Sequence, residues 1–221
     1  MSAPSSLPTA ANAANAAPAR RCAGLGFALL ALGWVAAVSG AFAALAIYKA
    51  TPGVLAPAPL DWPEASSIAR LPGRAQLLCF VLPHCPCAEA TLAELSRLLS
   101  ARPAQAEVHV VIALPPGVDP SWRETAIVAA ASELPGAHLT FDVDLVESAR
   151  FGATTSGQVL VYDGAGRLAF RGGVTPSRGH RGENAGSDAV AALVRGEAAQ
   201  HSVWPVFGCE LATPLAEEAP P

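Results

Sequence analysis

Charged residues are scarce in this 221-residue chain (14%), and so are aromatics (6%). The net charge is −4. No cluster of lysine and arginine is present that could grip a phosphate backbone, so the composition argues against nucleic-acid binding. There is no internal repeat, and no acidic tail beyond Glu217 and Glu218. Cysteine is sparse too, with five residues at positions 22, 79, 85, 87 and 209. Their spacing gives no pair of CxxC motifs, which excludes the usual structural zinc pattern. What the chain has in quantity is hydrophobic residues, 52% of the total, with a strong alanine bias.

Residues 1–22 are rich in Ala, Ser, Pro and Asn and contain Arg20-Arg21. They read as a disordered cytoplasmic tail. Residues 23–49 read as a transmembrane signal-anchor helix. The stretch Ala23 to Tyr48 carries no charge. As a helix it extends about 39 Å, more than the roughly 30 Å hydrocarbon core, and spans it with some tilt. The arginine pair precedes the span and only Lys49 follows closely. The positive-inside rule then predicts a single-pass inner-membrane protein, N-terminus in the cytoplasm and the rest periplasmic. A cleavable signal peptide is the rival reading, because "AFAALA" offers small residues. Its apolar core would be much longer than the usual roughly 7–15 residues, which favours an uncleaved anchor. Cys22 precedes the apolar run, whereas a lipoprotein cysteine follows it, so Cys22 reads as an incidental thiol. Residues 50–63 are proline-rich and read as a semi-rigid linker. The soluble domain is 64–221, large enough to build a core without disulfides. Its cysteines therefore need another reason to be there.

Within the domain, Gln76–Leu82 is a nearly continuous apolar run of strand length and predicts a strand buried on both faces. Leu92, Leu95, Leu98 and Leu99 recur at helical spacing, giving a helix over about 86–100. Glu107–Leu114 is a second buried strand. Ser121 to Glu124 forms a capping box that predicts a helix running to Leu134. His138–Asp144 holds a third strand, and a short helix after it stops at Gly152. "QVLVYD" and "RLAFRG" flank the turn Asp163–Gly166 as a hairpin. A last helix covers about Ser187–Gln200. Strands alternating with helices, then a hairpin and a helix, predict an α/β domain of thioredoxin-like architecture, a mixed sheet flanked by helices, behind one transmembrane helix.

Cys85 and Cys87 fall between the first strand and its helix, in "FVLPHCPCAEA". In open α/β sheets active groups gather beyond the carboxyl ends of the strands. Pro86 suits the first helical position, since its missing N–H costs nothing there. That places Cys85 near the N-cap, where free N–H groups and the helix dipole favour a thiolate. His84, if protonated, pushes the same way. A structural bridge across one residue would remove little unfolded-state entropy. A ring that small is strained, and strained disulfides are the labile, oxidising ones. Cys79 faces a core strand and reads as a buried, unreactive thiol.

Two segments, "LLCFVLPHCPCAEATLAEL" and "FDVDLVESARFGATTSGQVLVYDGAGRLAFRGG", resemble membrane-anchored thioredoxin-like thiol–disulfide oxidoreductases of the cytochrome-maturation, TlpA-like type. Their wording is closest to the RedB-like subgroup. The resemblance covers about residues 70–200. It implies that Cys85 is an exposed nucleophile, resolved by Cys87 and tuned by His84. It also implies a protein thiol or disulfide as partner, and electron exchange with a membrane thiol carrier. Two departures stand out. The chain has CxC where the family has CxxC. It also has Ser156 and Gly157, with no proline in 151–162, where the family carries a cis-proline in a loop that binds partner polypeptides. A trans loop is expected here, because a cis bond without proline costs roughly 3 kcal/mol.

Other candidates lie further along. The polar loop Thr175–Gly186 carries Arg178, His180, Arg181 and Glu183 and could overhang the cysteines. The redox reading needs no cofactor. Copper-delivery proteins of the same fold use two cysteines and a distant histidine, so Cys85, Cys87 and His180 form the alternative, a copper metallochaperone; soft thiolates suit Cu(I). A non-catalytic domain is a further alternative. A peroxidase is disfavoured by the absence of Pro-x-x-x-Thr-x-x-Cys. Cys209 is a possible third thiol that resolves or shuttles a disulfide, pairs with Cys79, or stays free.

Overall fold

The computed structural model describes residues 16–100 and 106–211. The tail up to residue 15, the side chain of Cys22 and the acidic pair Glu217 and Glu218 lie outside the described residues. The chain divides into two units, Met1–Tyr48 and Lys49–Pro221.

The first unit is helical. Helix α1 (Ala16–Ala50) starts before the expected residue 23. Ala16, Ala17 and Ala19 are the strongest helix formers, and Pro18 sits in the first turn, where proline is tolerated. Residues 16–22 are thus helix, not loose tail. Gly26–Ala50 is long and apolar enough to cross a membrane, with mean hydropathy 2.1. Phe27, Leu30, Trp34 and Phe42 are all exposed on it.

The second unit is built on one sheet. Strand β1 (Ala75–Val81) leads through α2 (Pro86–Ser100) to β2 (Ala106–Leu114). A 3₁₀ turn (Pro120–Arg123) and α3 (Ala126–Ser132) lead to β3 (Ala137–Val143). Then come α4 (Val146–Phe151), β4 (Gln158–Tyr162), β5 (Leu168–Gly172) and α5 (Ala185–Val194). The strand order is β3-β2-β1-β4-β5. β1, β2 and β3 run parallel, β4 pairs antiparallel with β1, and β5 pairs antiparallel with β4. β1 is central, which is why its apolar run has no polar alternation: Leu77, Leu78, Cys79, Phe80 and Val81 are all fully buried. Each of the leucine, phenylalanine and valine side chains contributes about 1.5–3 kcal/mol by leaving water. This is the predicted thioredoxin-like arrangement, a mixed sheet with flanking helices.

Three local expectations need correction. Ser121 to Glu124 is not a capping box for a long helix. Asp119 caps a 3₁₀ turn that opens at Pro120, and Thr125 caps α3 by accepting from Val128 N–H. Proline at the first helical position makes the residue before it the cap. The last helix runs from Ala185 to Val194 and not to Gln200; Arg195 is its C-cap. The third difference is the proline-rich segment, which is no free spacer. Gly53 N–H donates to Val206 C=O (2.8 Å), and Leu168 N–H donates to Leu60 C=O (2.7 Å). The hydroxyls of Thr154 and Thr155 each donate to Val54 C=O (2.7 Å). Trp62 packs edge-on against Phe151 and Tyr162, at 5.1 and 5.3 Å. Extended proline-rich chain makes no internal hydrogen bonds, so its carbonyls are open to donors on the domain.

Candidate functional site

Strand β1 delivers the chain to Leu82, and helix α2 begins four residues later. Cys85 N–H turns back to Leu82 C=O (3.0 Å), while Cys85 C=O accepts from Ala88 N–H (3.0 Å). Cys85 is therefore the residue at which the helix opens, and Pro86 takes the first helical position. Cys87 follows inside the first turn. Cys79, further back on β1, is fully buried, and burial pushes its thiol up to about 12.

Two other segments close around Cys85. The first is the loop before β4. Ser156 Oγ accepts from Leu82 N–H (2.9 Å), a buried bond that ties this loop to the end of β1. Gly157 N–H donates to Phe80 C=O (2.7 Å). Gly157 has φ +88°, and a Cβ there would stand 2.7 Å from Thr91 Oγ1. Position and conformation both require glycine. No peptide bond is cis among the described residues.

The second segment is the tail after α5. Ser156 N–H donates to Cys209 C=O (2.8 Å), and Leu211 N–H donates to Thr154 C=O (2.9 Å). Thr155 and Glu210 form an antiparallel bridge. The tail thus lies against residues 154–156 like a short added strand. Val206 and Leu211 anchor it by full burial. Gly208 permits the approach: a Cβ there would fall 1.8 Å from Ser156 C=O. Upstream, Arg171 N–H donates to Ser202 C=O (2.9 Å) and Trp204 N–H to Arg171 C=O (3.2 Å), so the same tail covers the free edge of β5.

This geometry brings three thiols together. Cys209 N–H points at Cys85 Sγ (3.4 Å). The thiol of Cys209 donates to Cys85, as do the thiol of Cys87 and the hydroxyl of Ser156. These donors, Cys209 foremost, hold Cys85 far below the ordinary thiol range, against the opposing effect of burial. Cys87 and Cys209 are pushed the other way. Each keeps its proton chiefly because it hydrogen-bonds to Cys85, with burial and the charge on Cys85 adding to this. Arg178 opposes the rise at both, and Gly179 N–H does so at Cys87. Chemically, the reduced site is one thiolate held by two thiols.

Other sequence candidates are placed differently. Cys85 was expected as an exposed nucleophile, but its relative exposure is 0%. The tail lies over it. Cys87 is 7% exposed, and Cys209 is the only partly open thiol of the three. His84 is exposed and packs edge-on against Trp122 (4.6 Å). The loop Thr175–Gly186 reaches the thiols through Arg178 and Gly179, and Arg178 also donates to Gly208 C=O (2.5 Å). His180 is exposed and its Nδ1 pairs with Arg178 C=O (2.7 Å). Among the described residues, no group of three His, Cys, Asp or Glu side chains is arranged to hold a metal ion. Sequence reasoning missed the pairing of 208–211 with 154–156, whereas the loop it expected to overhang the cysteines does bring Arg178 near the thiols. The one local signal was a glycine directly before Cys209.

No family model matches the chain, and a search of curated proteins finds no match. Solved structures do. An uncharacterized conserved protein from Geobacillus kaustophilus matches with TM-score 0.54 and 19% identity, over 75% of this chain and 93% of that one. A hypothetical protein from Sinorhizobium meliloti 1021 matches with TM-score 0.53 and 18% identity, over 73% and 93%. A secreted Mycobacterium tuberculosis disulfide oxidoreductase homologous to E. coli DsbE matches with TM-score 0.40 and 18% identity, over 57% and 84%. At these identities the likeness concerns the fold.

Proposed function

We propose that the chain is a membrane-anchored thiol–disulfide oxidoreductase, of the TlpA-like and RedB-like kind that its sequence resembles, with Cys85 and Cys87 as its redox couple. The observation that carries this reading is the geometry at Cys85, which opens the helix with one residue between it and a second thiol and whose Sγ accepts from Cys209 N–H (3.4 Å), among the donors that hold its pKa low. Cys79 shows the contrast, its thiol raised by burial. In the reduced state Cys85 holds the negative charge and Cys87 the proton. Oxidation joins their sulfurs, and two electrons and the Cys87 proton leave. Stabilising the reduced thiolate makes the disulfide easier to reduce, so the couple is an oxidant toward partner dithiols. The apolar segment Gly26–Ala50 would be the anchor. Arg20 and Arg21 favour a cytoplasmic N-terminus and an extracytoplasmic domain. The partner is a protein thiol or disulfide, with a membrane thiol carrier as the other electron exchanger.

The test is a redox titration of the full-length chain in detergent, in glutathione buffers of set potential. Thiols are counted by alkylation and mass spectrometry. A reversible Cys85 disulfide inside the chain, absent in Cys85→Ser, is the expected result. A Cys85 that never enters an intramolecular disulfide refutes the reading.

A further inference from the structure

Resting on that reading, we propose that Cys209 is a third exchange thiol, through which the buried Cys85–Cys87 couple passes its disulfide to a partner dithiol. The first ground is access. Cys85 is completely covered and Cys87 nearly so, while Cys209 is partly open. A couple covered to this degree gives a partner little direct access. The second ground is position. Cys209 approaches Cys85 with both its N–H and its thiol, on a tail segment fixed by backbone bonds to Thr154 and Ser156. The tail is held where a partner's cysteine would otherwise have to come.

The exchange balances without an outside oxidant. In the oxidised couple the Cys209 thiol gives up its proton and its sulfur attacks Cys85 Sγ, the sulfur Cys209 lies against, so that proximity and not leaving-group strength sets this step. The Cys85–Cys87 bond breaks, Cys87 leaves as thiolate and takes a proton. The disulfide is now Cys85–Cys209. A partner thiolate then attacks Cys209 Sγ, and Cys85 leaves as the thiolate its donors stabilise. A low-pKa thiolate is the better leaving group, which directs the attack to the open sulfur. The partner's second thiol attacks its own sulfur in the mixed disulfide and releases Cys209. The partner has lost two electrons and the couple has gained them. The reverse sequence, from a disulfide-bearing partner, recharges the couple.

The electrostatics gate this route. In the reduced protein Cys209 holds its proton because it bonds to the Cys85 thiolate and feels its charge. Once Cys85 is in a disulfide, that charge is gone and only burial still raises the Cys209 pKa, against Arg178. Cys209 is thus a poor nucleophile when the couple is empty and a competent one when it is loaded.

The experiment uses full-length protein in detergent, glutathione buffers, acid quenching and non-reducing peptide mapping. Wild type at intermediate potentials is expected to show both Cys85–Cys87 and Cys85–Cys209 bridges. Cys87→Ser is expected to form Cys85–Cys209 alone. Cys209→Ser should still load Cys85–Cys87, but reduced glutathione should discharge it about tenfold more slowly or worse, since the open sulfur is lost. If Cys87→Ser carries glutathione on Cys85 with Cys209 free, or if Cys209→Ser discharges at the wild-type rate, the relay is overturned. In either case a titrating Cys85–Cys87 bridge leaves the proposed function standing. Absence of any intramolecular Cys85 disulfide overturns both.

Discussion

In the reduced protein, Cys209 stabilises Cys85 through two donors, its thiol and its N–H. Alanine at 209 removes the thiol and keeps the N–H. A hydrogen bond to a charged group contributes about 1.5–3 kcal/mol, and one pKa unit is about 1.4 kcal/mol. The Cys85 pKa is therefore expected to rise by about one to two pKa units in Cys209→Ala. Serine keeps an O–H near the same place. Cys209→Ser should hold Cys85 close to its wild-type value, although neither variant can bridge to Cys85. The assay is a pH titration of thiolate ultraviolet absorbance in reduced, full-length protein, with Cys22→Ser as background and Cys85→Ser as blank. Cys79 is held protonated up to about 12, and Cys87 and Cys209 are raised, so the acid-side step belongs to Cys85. If the alanine and serine variants titrate alike, or alanine leaves the step unmoved, the thiol at 209 does not hold the thiolate and the reasoning fails.

Ser156→Ala should destabilise the fold by about 1–3 kcal/mol in denaturant unfolding, because Leu82 N–H loses its buried acceptor; no change would show that the bond contributes nothing. Gly208→Ala places a Cβ 1.8 Å from Ser156 C=O, so the tail must shift and its bond from Ser156 N–H must lengthen. Losing about 1 kcal/mol there raises the open population about fivefold, read as faster alkylation of Cys85; a wild-type rate would contradict the cover. The pH dependence of stability has a definite sign. The folded pKa of Cys85 lies below its unfolded value of about 8.5, so between the two the unfolded state holds the extra proton. Stability from this group is complete above pH of about 8.5 and falls as pH drops toward the folded value, by up to about 1.4 kcal/mol per pH unit. Denaturant melts of reduced wild type and Cys85→Ser should diverge accordingly, and parallel curves would refute the assignment.

The elements that position the site were legible because their signals are local. The unbroken apolar run of β1 announced a central strand, the leucine spacing announced α2, and the proline between two cysteines marked where the helix opens. What lay beyond reach was pairing at long range. Nothing in "VWPVFGCEL" alternates strongly or marks residues 154–156 as its partner, and the proline inside it argues against a strand. Residues 53–63 were misjudged for the same reason: proline content reports stiffness and says nothing of what the carbonyls will meet. The donors of Cys85 followed from that gap. The helix start and His84 were visible in the sequence, whereas the thiol that lowers Cys85 most, and an N–H beside it, come from a residue 124 positions away.

That separation also sets a clock. The ribosome makes Cys85 well before Cys209, and at roughly 5–20 residues per second the gap lasts about 6–25 seconds. Over that interval β1 and α2 can begin to form, but Cys85 has neither the donors nor the cover that the tail brings. Until the tail is made, Cys85 has only the donors that Cys87 and Ser156 supply. The share of its chemistry that the tail supplies arrives late, and a chain truncated before Gly208 would keep Cys85 and Cys87 but lack the donors of Cys209.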